Sequence, residues 1–212
     1  MDFPQVTANR RRFLESAASS YASSLWGSPG ATYLMEKRGL TEEVIKHFRL
    51  GFVSEPREGH EQYTGTVSIP YLTPAGVVGI RFRSLGEGTK YLQEAGSRTP
   101  LFNVRAFHAP ETHIAICEGE FDAIVLSGLC NIPAVGIPGV SHWEKNENIW
   151  RRLFEDYERV FVVMDPDKAG QNMAKKIMSV VQDPTSIVLP DDVNDTYLTF
   201  GPEFIRAKCG LD

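Results

Sequence analysis

Hydrophobic spacing changes character about halfway along the chain. Phe13, Leu14, Ala17, Tyr21 and Leu25 recur at helical intervals and predict an amphipathic helix over 10–26. Ser28-Pro29-Gly30 breaks it. A second helix fits 30–37 and ends at Gly39, a favourable C-cap residue. Thr41 opens a third, with Glu43 and Val44 behind the cap, that runs to about His47. Polar residues then dominate to Gly65 and predict loop. From Thr66 the period drops to two. Val67, Ile69 and Tyr71 alternate, Thr73-Pro74-Ala75-Gly76 supplies a turn, and Val77, Val78, Ile80 and Phe82 follow, which predicts a β-hairpin.

From residue 112 the apolar runs are unbroken: HIAIC (113–117), NIPAVGI (131–137), RVFVVMD (159–165) and SIVLP (186–190). They alternate with helical stretches at 120–128, 145–155, 169–181 and 201–208. Strand and helix in alternation predict βαβ units around a parallel sheet covered on both faces. The expected chain is therefore α/β. An α+β N-terminal subdomain of helices and a hairpin occupies 1–110, and a βαβ domain with a mainly parallel central sheet and C-terminal helices occupies 111–212.

Composition adds exclusions. At 212 residues and 42% hydrophobic, the chain can bury a core and is not disordered. No apolar run approaches the roughly 18 residues of a membrane helix. The start, MDFPQVTANRRRFLES, lacks the apolar stretch of a secretory signal, so the expectation is a cytoplasmic protein with no membrane partner. Cys117, Cys130 and Cys209 form no CxxC, so no zinc ribbon is expected and the thiols are expected to stay reduced. The net charge of −5 hides an asymmetry. Residues 1–110 carry 13 Lys and Arg against 10 Asp and Glu, a balance of +3; residues 111–212 carry 9 against 17, a balance of −8. Such a split suggests one basic surface and one acidic site.

The acidic half holds the candidate chemistry. Glu118 follows the strand HIAIC directly, at the C-terminal end of a sheet strand, where open α/β folds place their sites. Gly119 permits a tight turn, and Asp122 falls in the first turn of the next helix. Asp165 and Asp167 sit at the tip of the second buried run, with Gly170 before a helix. Carboxylates two residues apart repel unless a cation screens them, and hard oxygen ligands of this kind suit Mg²⁺. The other reading of Asp167 is a helix N-cap with a solvated loop charge. A third acidic group, Asp191, Asp192 and Asp195, follows the last predicted strand at the same sheet edge. The five histidines form no HxH or HExxH pattern. His142-Trp143 either contacts a nucleotide or is a packed aromatic. Arg10-Arg11-Arg12 is either a helix's solvent face or an extra nucleic-acid contact.

Glu118-Gly119 with Asp122, then Asp165-Pro166-Asp167 with Gly170, resemble the two signatures of the TOPRIM domain. Upstream, YLMEKRGLTEEVIKHFRLGFV (33–53) is similar to the YLxxRGLxxExIxxFxLGY opening of the DnaG-type primase RNA-polymerase core. IPYLTPAGVVGIRFRSL (69–85) and TKYLQEAGSRTPLFN (89–103) resemble that family's next two segments, in family order, and LPDDVNDTYLTFG (189–201) its closing stretch. The chain thus resembles a compact DnaG-type core without the zinc-binding and helicase-binding domains of full-length members, either of a kind encoded by phages or plasmids or one half of a split primase.

The resemblance implies primer synthesis on single-stranded DNA from ribonucleoside triphosphates, by a two-metal displacement in DNA replication. It places Glu118, Asp165 and Asp167 at the catalytic centre. Glu118, Asp122, Asp165, Asp167, Asp192 and Asp195 become ligands of two or more Mg²⁺ or Mn²⁺ ions, with no zinc. Arg38, Arg83, Lys90 and Tyr91 match its template- and nucleotide-binding surface, with Arg81 and Arg105 weaker candidates. A replicative helicase or a zinc-bearing protein in trans is the implied partner. Asn194 stands where the family shows a carboxylate, and Asn103 near where it often has a basic residue. The competing readings are a TOPRIM metal-dependent nuclease and a non-catalytic protein that binds single-stranded DNA.

Overall fold

A computed structural model of the chain describes residues 6–86, 90–94 and 100–211. Thr89 and residues 95–99 of the TKYLQEAGSRTPLFN segment lie outside the described residues. The chain divides into two compact units, Met1–Pro100 and Leu101–Asp212.

Unit 1 begins with α1 (Ala8–Ser23), whose N-cap Thr7 accepts a hydrogen bond from the Arg10 backbone N–H at 3.2 Å. Its apolar stripe of Leu14, Ala17, Ala18 and Tyr21 is fully buried. The Ser28 hydroxyl caps α2 (Pro29–Thr32), which continues as a π-helical turn over Tyr33–Lys37. Thr41 caps α3 (Glu42–His47) through the Val44 N–H, as its sequence predicts. The sheet is antiparallel, in the order β1 (Gly51–Phe52), β2 (Val67–Thr73), β3 (Gly76–Arg83) and β4 (Tyr91–Gln93). Pro74 and Ala75 make the tight turn of the predicted hairpin. A bulge opposite Tyr71 and Leu72 explains the Val77-Val78 doublet: one extra residue enters β3, and both valines are buried.

The loop expected over 48–65 is more ordered than its polarity suggests. Gly51–Phe52 pairs with β2, and Phe48, Leu50, Val53, His60 and Tyr63 are buried. A two-residue strand is too short to show a period. Tyr63 stacks on Phe82 with ring centroids 3.9 Å apart, and both join α1 in the core of this unit.

Unit 2 is a parallel sheet in the order β6-β5-β7-β8, from β5 (His113–Cys117), β6 (Ala134–Gly136), β7 (Arg159–Val163) and β8 (Pro184–Ser186). Its helices are α4 (Glu120–Gly128), α5 (Val140–Trp150), α6 (Lys168–Met178), α7 (Val193–Phe200) and α8 (Pro202–Lys208). Ile114–Cys117 and Val160–Val163 are wholly buried, as continuous apolar runs require. Trp143 is buried against Trp150, with ring centroids 5.9 Å apart, so the packed-aromatic reading of Trp143 holds. The three cysteines are free and buried.

Three sequence expectations are corrected. The helix predicted over 145–155 starts at Val140 and ends at Trp150, followed by a 3₁₀ turn over Arg151–Phe154. The last strand is Pro184–Ser186 and not 186–190. Ser186 is the last residue to register on Val162, and Ile187 donates one more bond to Val162 before the chain leaves the sheet. Ile187 and Leu189 are buried without being strand, so their hydrophobicity reported burial and not pairing. Helix α7 has no counterpart in the expected elements, because its polar first turn masks the period.

Candidate metal centre and nucleic-acid interface

Parallel register brings the acidic residues of unit 2 to one edge. Cys117 pairs with both Gly136 and Val163, so β5, β6 and β7 end level. Glu118 lies one residue beyond that line on β5, and Asp165 two residues beyond it on β7. Chain from β8, whose Ser186 pairs with Val162, delivers Asp191 and Asp192 to the same side. This is the carboxyl edge of the sheet, where open α/β folds bind ligands.

Two glycines fix this geometry. A Cβ on Gly170 would lie 2.3 Å from the Asp165 carbonyl oxygen and 2.9 Å from its nitrogen. Only glycine therefore lets the first turn of α6 pack on the Asp165 backbone. A Cβ on Gly136 would lie 2.4 Å from the Gly119 carbonyl oxygen, so the turn after Glu118 also closes on a bare backbone.

The electrostatics are those of crowded like charges. Burial pushes the Asp165 carboxyl up to about 6, and the charges of Glu118, Asp192, Asp167 and Asp191 add to it in that order. Burial also raises the Glu118 carboxyl, with Asp167 adding to the effect and the Asp165 backbone N–H opposing it. The Oε2 atom of Glu118 is buried with no hydrogen-bond partner. Burial holds the Cys117 thiol well above its ordinary value, reinforced by Asp122, Glu120 and Asp165.

Asp167 is exposed and caps α6, its Oδ1 accepting from the Gly170 N–H at 2.7 Å. Asp167 thus caps α6 with one of its two oxygens. Asp192 caps α7 in the same way through the Asp195 N–H at 2.7 Å. Asp191, Asp192 and Asp195 can each offer an oxygen within 4.8 Å of the others. Asp122 lies in the first turn of α4, its Oδ2 3.5 Å from where a Cβ on Gly119 would stand. Asn194 is buried in α7, and Glu120, which sequence reasoning passed over, is buried in the first turn of α4.

In unit 1, β3 and β4 form a cationic patch. Arg81 and Arg83 stand two residues apart on β3, hence on one face. Their guanidinium carbons lie 4.9 and 4.7 Å from the centroid of Tyr91, which pairs with Arg83 across the ladder. Arg81, the weaker candidate by sequence, holds the same ring as Arg83; the i, i+2 spacing was the signal for it. Lys90 is exposed just before β4. Arg38 lies apart from this cluster in sequence, donating from Nε to the Tyr33 hydroxyl at 2.8 Å with its guanidinium over that ring. Arg10 is not on a free solvent face: it forms an ion pair with Glu94. Arg105 sits in a 3₁₀ turn of unit 2, and Asn103 there donates to the Ala134 carbonyl at 2.9 Å.

The Toprim-like family matches residues 115–197. The gene 57 protein of Mycobacterium phage D29 is 34% identical over 154 residues, which cover 69% of this chain and 99% of that protein. Among solved structures, the zinc-binding and RNA polymerase domains of the Aquifex aeolicus primase share 21% identity at a TM-score of 0.78, over 99% of this chain and 63% of that one. The RNA polymerase domain of Mycobacterium tuberculosis primase DnaG, in complex with double-stranded DNA, shares 21% identity at a TM-score of 0.75. That match covers 96% of this chain and 81% of the other.

Proposed function

The chain belongs to the family of the phage D29 gene 57 protein and has the fold of DnaG-type primase catalytic cores; on that premise we propose that it is a primase. It synthesises short RNA primers on single-stranded DNA from ribonucleoside triphosphates. The observation that carries this reading is the convergence of Glu118, Asp165, Asp167, Asp191 and Asp192 at one edge of the parallel sheet, in a chain with the fold of primase cores; crowding there pushes the Asp165 carboxyl up to about 6. Half-buried like charges with an unpartnered Glu118 oxygen among them call for a cation, and the donors are all hard oxygens.

Glu118, Asp165 and Asp167 would hold divalent cations, with Asp122, Asp192 and Asp195 as further ligands. When bound, Mg²⁺ or Mn²⁺ supplies charge neutralisation for attack by a 3′-hydroxyl and for departure of pyrophosphate. The chain's own work is positioning. Buried strands β5 and β7 fix the carboxylates at a rigid edge, and Gly170 lets α6 seat against Asp165. In unit 1, Arg83 and Lys90 contact template or nucleotide phosphates, with Arg81 and Tyr91 forming the cationic and aromatic floor beside them. Arg38 adds a further cation.

The reading is tested by incubating the protein with single-stranded DNA, four labelled ribonucleotides and Mg²⁺ or Mn²⁺. Short RNA products are expected. Cleavage of the DNA without synthesis would instead establish a nuclease, and neither product would leave a binding protein.

A further inference from the structure

His60 belongs to none of the motifs above, yet it is fully buried (0% exposed). The rings of Phe13, Phe82 and Tyr63 pack edge-on to it, with centroids 5.1, 5.2 and 5.5 Å away. Both ring nitrogens are engaged: Nδ1 lies 2.8 Å from the Tyr21 hydroxyl and Nε2 lies 2.6 Å from Glu94 Oε1. Arg10 takes the other Glu94 oxygen, and the Tyr21 hydroxyl accepts the Arg57 backbone N–H at 3.0 Å.

The proton positions follow from what each group can do. A carboxylate only accepts, so Nε2 carries the proton. Nδ1 then accepts from Tyr21, whose oxygen still accepts from Arg57. Burial raises the Glu94 carboxyl, but the His60 hydrogen bond and the Arg10 charge outweigh that and hold it below the usual range.

This network joins α1, the segment after β1, and Glu94, the residue just after β4. The strand itself is weakly held: three residues at a sheet edge, paired on one side to β3. Tyr91 opens β4 and Lys90 precedes it. A buried ion pair is poor evidence for stability alone, since apolar residues of similar volume often do as well. Glu94 instead ties the chain just past this strand to α1 and to His60.

We propose that Arg10, Glu94, His60 and Tyr21 form a positioning device that locks β4 and presents Lys90 and Tyr91 in one conformation to single-stranded nucleic acid. The proposal rests on the nucleic-acid reading above. The device acts through β4 and touches no substrate.

The test uses the full chain, with Glu94→Gln and Arg10→Met as variants, because His60 substitutions risk the core. Hydrogen exchange of the amides at 90–94 is measured beside the affinity for a fluorescein-labelled oligothymidylate. Exchange at β4 is expected to accelerate on the order of tenfold in Glu94→Gln, with α1 unchanged, since one charge-assisted contact is lost locally. Oligothymidylate affinity is expected to fall by roughly threefold to tenfold, in the direction of Lys90→Ala. Unchanged exchange at β4 overturns the proposal whether or not the protein binds DNA. Accelerated exchange with full affinity also overturns it and confines the network to stability. If the wild-type chain binds no oligothymidylate while β4 exchange responds, the nucleic-acid reading has failed, and the positioning role falls with it.

Discussion

In unit 1 the charged groups answer one another. Glu94 is shared by Arg10 and His60, and Glu15 accepts from Arg49 and from the Val77 N–H. At the sheet edge of unit 2, carboxylate faces carboxylate, and burial with the neighbouring charges raises the proton affinity of Asp165 and Glu118. Matched charges are satisfied by the chain itself. Unmatched ones hold a place for something that arrives. On the proposed reading, the difference marks the half of the chain that would hold a cation.

The largest expected effect follows from removing that mismatch. Asp165→Asn with Asp167→Asn should lower ribonucleotide incorporation on the order of a thousandfold. Asn is as good an N-cap as Asp, so α6 should survive, and far-ultraviolet circular dichroism should be unchanged. Incorporation at the wild-type rate would mean that the carboxylate edge is not the metal centre.

A smaller effect lies in stability without metal. The Asp165 carboxyl is held at about 6 when folded. Unfolded, it returns to about 3.9. The folded state therefore binds the proton more tightly. The contribution is fully present below pH 4 and is lost as pH rises through 6. Discounted for partial solvent exposure, this is about 1 kcal/mol. In EDTA, Asp165→Asn should match the wild type near pH 4 and exceed it above pH 7. Added Mg²⁺ should reverse that order at pH 7, by stabilising the wild type alone. Urea titrations at both pH values decide it, and a wild type more stable than the variant in EDTA at pH 7 would show that the carboxylates are not in conflict.

The smallest effect concerns unit 1. Arg83→Ala and Lys90→Ala should each flatten the salt dependence of single-stranded DNA binding by roughly 0.7 in log–log slope, one phosphate contact apiece. Anisotropy titrations between 50 and 200 mM salt measure it, on the order of magnitude set by counterion release. An unchanged slope in both variants would remove these residues from the interface.

The buried half of this architecture was written in hydrophobic runs. HIAIC and RVFVVMD announce β5 and β7, and the residues just past an apolar strand in a parallel sheet share an edge by topology alone. Glu118 and Asp165 could therefore be placed together before any contact was known. Thr41 likewise marks the start of α3. What escaped is what periodicity does not carry. Helix α7 carries Asn194, Asp195 and Thr196 in its first turn, and its signal lay in Asp192 as a cap. Strand β1 is two residues long. His60 sits in a polar stretch, and its burial comes from aromatic partners on α1 and β3 that are distant in sequence. Arg81 looked incidental until its ring partner on β4 was in view.

The tryptophans give the two units separate optical signatures. Trp143 and Trp150 are buried in unit 2 at an interplanar angle of 59°, close enough for their transitions to couple. Their near-ultraviolet circular dichroism should carry a signal that reports the packing of α5 within unit 2. Trp26, in unit 1, is 42% exposed and should emit at longer wavelength and yield readily to acrylamide. One unlabelled sample can therefore show whether the acidic unit has lost its packing while the basic unit keeps its own, which activity measurements merge into a single loss.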